Sequence, residues 1–135
     1  MRRWGFALLL GLCVVIAVSC ARKQAPPKEN PLVTSAKELA ELLAKEDFAA
    51  VVARFDDTMK RGLPQEKLAE AWKEAAAQLG PFKKRTGART QKIQGFDVVF
   101  VTCEFENAKA DVQVTFDSAG RVAGLFIRPA QGPST

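Results

Sequence analysis

At Gly80-Pro81 the spacing of apolar residues changes. Before this pair, Leu68, Ala71, Trp72, Ala75 and Leu79 recur at steps of three and four, which makes one stripe on a helix. After it, Val112, Val114 and Phe116 alternate with Asp111, Gln113 and Thr115, the pattern of a strand covered on one face. Helices come first and strands follow. That order predicts an α+β fold, with N-terminal helices packed on a four-stranded antiparallel sheet.

Local signals place the elements. Ser35 followed by Glu38 reads as a capping box that opens the first helix, with Leu39, Leu42 and Leu43 inward. Asp47 caps a second short helix that turns Phe48, Val51, Val52 and Phe55 inward. Leu63-Pro64 starts a third, and Gly80-Pro81 ends it. Four strands follow over residues 84–94, 96–106, 109–116 and 121–128, separated by Gly95, Asn107-Ala108 and Asp117–Gly120.

The turns predict a register. A two-residue turn at Gln94-Gly95 sets Ile93 opposite Phe96, Lys92 opposite Asp97 and Arg85 opposite Glu104. A two-residue turn at Asn107-Ala108 sets Cys103 opposite Val112 and Val101 opposite Val114. The expected core face then carries Val99, Val101, Cys103 and Phe105, and on the last strand Val122, Gly124 and Phe126. Thr86, Ala88 and Thr90 share that face, a row of small residues that leaves room either for helix packing or for a pocket lined by Trp72, Thr86, Thr90 and Cys103. The opposite face carries Val98, Phe100, Leu125 and Ile127, an apolar patch expected to meet a second copy or another envelope protein.

The chain's beginning bears on location. Arg2 and Arg3 precede an apolar run over residues 4–18, then Ser19 and Cys20. A positive start, an apolar middle and a small residue before the cut describe a secretory leader, and the run falls short of the ~20 residues of a membrane span. Residues 21–33 hold three prolines and four charges, and read as a tether. The expected division is leader 1–19, lipidated Cys20 and tether 20–33, one domain 34–129, and a tail 130–135. Without Arg2 and Arg3 the balance is 18 basic residues against 15 acidic, too mild to argue for nucleic acid.

There is no His and no Tyr. No Ser–His or Cys–His pair can form, and no His-based metal site. Neither a catalytic residue nor a metal site is expected, and no cofactor. Cys103 reads as a buried structural thiol. Glu104 beside Asp111 is the one candidate carboxylate pair, with Arg85 as its balancing charge. Lys83, Lys84, Arg85, Arg89 and Lys92 read as guards of an exposed sheet edge.

Two resemblances add to this reading. Ala17-Val18-Ser19-Cys20 resembles the lipobox of bacterial lipoproteins, with Ala17 where Leu is usual. It implies that Cys20 becomes the acylated first residue of the mature protein. It also implies a membrane contact through lipid, and a cell-envelope location (the outer membrane in a host that has one). Phe55-Asp56, Met59-Lys60, Trp72, Gly80, Phe116-Asp117, Gly120 and Gly124-Leu125 resemble the landmarks of the bacterial domain of unknown function 3887. That family is similar to the nuclear-transport-factor-2-like, or cystatin-like, cone, so the resemblance implies helices on a curved sheet. Its members also stand ahead of α/β-hydrolase domains, and the expectation here is a domain without one. The functional expectation is a non-catalytic ligand- or protein-binding module, the alternative being an envelope enzyme or hydrolase-accessory domain.

Cys20→Ser is expected to move the protein from the membrane to the soluble fraction on cell fractionation. An unchanged membrane fraction would remove the lipid-anchor reading.

Overall fold

The computed structural model describes residues 29–130. The leader, Cys20, most of the tether and residues 131–135 lie outside the described residues. The elements run α1 (Pro31–Ala44), α2 (Phe48–Ala53), α3 (Asp57–Gly62), α4 (Gln65–Leu79), β1 (Phe82–Ile93), β2 (Phe96–Phe105), β3 (Lys109–Phe116) and β4 (Val122–Pro129). The strands form one antiparallel sheet in the order β1-β2-β3-β4, so the α+β expectation holds.

The helices begin where side chains satisfy their first amides. α1 starts at Pro31, where the expected tether should still run, and not at Ser35. Asn30 Oδ1 accepts from the Leu32 N–H at 3.0 Å, and Pro31 brings a helical φ to a position that needs no donor. Ser35 therefore lies inside the helix, and Glu38 reaches Arg54 at 2.9 Å. Asp47 caps α2 as expected, through the Ala50 N–H at 3.3 Å. α3 is an addition to the three expected helices. Asp56 Oδ1 accepts from the Met59 N–H at 2.7 Å, and Asp57 favours the first turn.

At the β1–β2 turn the expected register is present. Gln94 and Gly95 have φ of 51° and 82°, as a two-residue turn of this hand requires. Ile93 faces Phe96, and Lys92 meets Asp97 at 3.2 Å. Further along, a bulge between Arg85 and Gly87 places Arg85 opposite Cys103, not Glu104. Arg85 pairs instead with Glu41 of α1.

The other two turns correct the expectation. β2 and β3 pair with Cys103 opposite Ala110 and Val101 opposite Val112, two residues from the expected register. The Glu106 and Asn107 N–H groups donate to Pro81 and Leu79 carbonyls at 3.0 and 2.9 Å, so the connection is tied to the end of α4. A slip of two keeps every side chain on its face. β4 differs more. Phe116 pairs with Val122, but Thr115 pairs with Gly124, leaving Ala123 as a bulge. Beyond it the faces are reversed: Leu125 and Ile127 lie opposite Val114 and Val112 on the core face, and Gly124, Phe126 and Arg128 point the other way.

The core joins Leu39, Leu43, Val51, Phe55, Leu68 and Trp72 of the helical half to Val99, Val101, Cys103, Val112, Val114 and Phe116 of the sheet. Cys103 is 1% exposed, and its thiol donates to the Val101 carbonyl at 3.6 Å. Burial pushes that thiol up from 9.0 to about 11, with Asp111 adding to the rise and Arg85 opposing it. A folded value above the unfolded one gives stability that is complete below 9.0 and lost as the pH climbs toward about 11. Cys103 of the native protein at pH 8 is therefore expected to resist a thiol reagent that labels it fully in denaturant. Stability should also fall more steeply above pH 9 than in Cys103→Ala; equal slopes, or rapid native labelling, would contradict the burial argument.

Candidate binding groove

The reversal of β4 builds a groove. Leu125 and Ile127 turn toward α4, where Leu68, Trp72 and Leu79, with Leu63 just before the helix, face them across a space of about 400 Å³. Ala71 and Ala75 lie on the same helical stripe, and their short side chains leave the trough unfilled. Trp72 forms its inner wall. The indole is 5% exposed and sits 6.0 Å from the Phe105 ring at 52°. Phe105 in turn meets Phe82 edge-on at 5.7 Å and 84°. This aromatic row fixes the indole from behind, worth roughly 0.5–1.5 kcal/mol per pair beyond area burial.

Polarity is confined to the rim. Glu74 and Gln78 stand on α4 and Arg128 on β4. Among the lining residues only Glu74 and Arg128 ionise, and no hydroxyl or thiol joins them. Such a lining suits burial of apolar surface with a few polar groups fixing orientation.

The expected pocket residues do not meet. Trp72 lines the groove. Cys103 is enclosed in the core. Thr86 and Thr90 are exposed on β1, and the Thr86 hydroxyl donates to the Thr102 carbonyl at 3.4 Å. Thr86 borders an open surface cleft with Lys37 and Glu41 of α1, whose lining does not include Trp72, Thr90 or Cys103. The signal for the real groove was the pair Ala71 and Ala75, small residues within an otherwise large apolar stripe.

The expected partner patch also divides. Val98 and Phe100 lie on the face away from the helices but are 2% and 8% exposed. Leu125 and Ile127 belong to the groove. Among the described residues, the exposed large apolar side chains are Ile93, Phe96 and Phe126, at 36%, 47% and 54%.

The charged candidates are mostly paired. Arg85 meets Glu41, Lys92 meets Asp97, and Arg89 Nη1 donates to Asp111 Oδ2 at 2.9 Å. Lys83 and Lys84 are exposed and make no ion pair among the described residues. Glu104 lies between Lys84 and Lys109, while the other oxygen of Asp111 accepts from the Thr102 hydroxyl at 2.7 Å. The carboxylate pair of Glu104 with Asp111 is not formed.

The chain belongs to the family described as protein of unknown function (DUF3887), whose model matches residues 36–125. It is also similar to Esterase EstD of Thermotoga maritima, 27% identical over 88 residues. That match covers 65% of this chain and 21% of the esterase, so the chain spans about a fifth of that relative's length. No solved structure matches the chain.

Proposed function

We propose that this family member is a non-catalytic binding module of the cell envelope. Acylated Cys20 holds it to the membrane, and the groove between α4 and β4 receives an apolar ligand or an apolar segment of a protein partner. The observation that carries the reading is the groove's lining: leucine, isoleucine and tryptophan walls, with ionisable groups only at the rim. The absence of His and Tyr from the sequence supports a binding role over a catalytic one.

The esterase match favours a second reading, in which the module serves a hydrolase as an accessory. In that case the groove would receive the hydrolase or its substrate, and the chain alone would have no turnover.

The groove is testable with 1-anilinonaphthalene-8-sulfonate. With Trp4→Phe, Trp72 is the only indole, and its emission should fall as the dye fills the groove. Ala71→Phe, at an exposed position of α4, should plug the trough, weaken dye binding about tenfold and leave the melting temperature nearly unchanged. Unchanged Trp72 emission, or equal dye binding by Ala71→Phe, would count against the groove as a binding site.

A further inference from the structure

β4 is the last strand of the sheet, so one of its edges has no strand beside it. The Ala130 N–H donates to the Lys109 carbonyl at 3.1 Å, which fixes the side to which each backbone group points. In an antiparallel ladder alternate residues turn their N–H and C=O to the same side. Ala130, Arg128 and Phe126 therefore turn theirs toward β3, and Leu125, Ile127 and Pro129 turn theirs to the open edge. Pro129 has no N–H to leave unpaired there. At Val122 the outward groups are engaged by Arg54 and Asp56. At Leu125 and Ile127 no loop or helix backbone engages them among the described residues.

The same edge is bordered by space. The groove of about 400 Å³ touches Leu125, Phe126, Ile127, Arg128 and Pro129 in succession. A second space, of about 520 Å³, touches Ala123, Gly124, Leu125 and Phe126 beside Met59 and Leu63. Neighbouring side chains on a strand point to opposite faces, so a space that touches every residue in turn runs along the strand's edge. The two spaces share Leu63, Leu125 and Phe126, and together they follow residues 123–129. At ~3.3 Å per residue that is roughly 20 Å, enough for a short strand. Arg128 stands at one end and makes no ion pair among the described residues.

We propose that β4 takes on a further antiparallel strand, an extended segment of a partner protein. It bonds to the outward N–H and C=O groups of Leu125 and Ile127. The two residues opposite these share their face, so their apolar side chains enter the groove where Ala71 and Ala75 leave room. An acidic residue opposite Arg128 gives it the cross-strand charge it lacks. The proposal rests on the groove reading above and names the occupant. A small apolar ligand would fill the groove but leave the edge amides unpaired. A second copy, joined β4 to β4 about a two-fold axis, would bring both α4 helices to the same side of the joined sheet, at the same trough.

The test titrates the isotope-labelled full chain with acetyl-Glu-Ile-Thr-Ile-Thr-amide, followed by NMR and amide hydrogen exchange. Without peptide, the Leu125 and Ile127 amides should exchange about tenfold or more faster than those of Phe126 and Arg128. Saturating peptide should remove that difference. Methylating both isoleucine nitrogens, which face β4, should weaken binding about tenfold or more. Methylating both threonine nitrogens, which face away, should not. Replacing the peptide's Glu by Lys should weaken binding about threefold, and Arg128→Glu, at an exposed position, should reverse that preference. Edge amides already slow in the free chain would overturn the proposal. If they slow only as protein concentration rises, a second copy holds the edge and the proposal also falls. Equal effects of the two methylation patterns, or no peptide binding at about 5 mM, would overturn it as well. Dye binding reports the groove separately: a groove that takes the dye beside an edge that takes no peptide removes the added strand alone.

Discussion

Val122 holds the two halves of the molecule together. Its N–H donates to the Arg54 carbonyl and its carbonyl accepts from the Asp56 N–H, both at 2.9 Å. These bonds tie the first residue of β4 to the connection between α2 and α3 beside Phe55. Val122 also keeps its place opposite Phe116, closing a loop in which Asp117 Oδ1 accepts from the Ala119 and Arg121 N–H groups at 2.9 and 2.8 Å. Hydrogen bonding from those two residues holds the Asp117 carboxyl below its ordinary value. With both sides of Val122 engaged, the residue that follows is expelled as a bulge, and the rest of β4 turns over.

That reversal sets the character of both faces. Leu125 and Ile127 turn toward α4 and wall an apolar groove, while Arg128 also borders a charged cleft on the other face of the sheet. As the edge strand, β4 lets Arg128 reach the rim of both spaces. Asp111 is tolerated in the sheet because Arg89 and Thr102 satisfy it, and the Arg89 stem covers Phe100. The face without helices is therefore closed by long polar side chains over valine and phenylalanine, where an exposed apolar patch was expected.

Much of this was legible in the sequence because its causes are local. The Asp47 cap, the Gln94-Gly95 turn and the Lys92–Asp97 pair each depend on neighbours a few residues apart or directly across a hairpin. The periodicity of β3 identified which of its residues face the helices. What could not be read depends on distant partners. The shift of β2 against β3 follows from bonds to the end of α4, and the bulge in β4 from bonds to Arg54 and Asp56. One unseen bulge exchanged the faces of Leu125 and Ile127 with those of Gly124 and Phe126, so the expected partner patch lost two of its four members to the groove. Asn30 was hidden for a different reason: a proline-rich stretch reads as tether until its last Asn-Pro is recognised as a helix start.

The orientation of β4 is the claim on which the groove and the cleft both rest. Side-chain nuclear Overhauser effects in an isotope-labelled sample measure it directly. The bulged register predicts cross-strand contacts of Val112 with Ile127 and of Val114 with Leu125. Contacts of Val112 with Phe126 and of Val114 with Gly124 would show an unbulged strand and contradict the account.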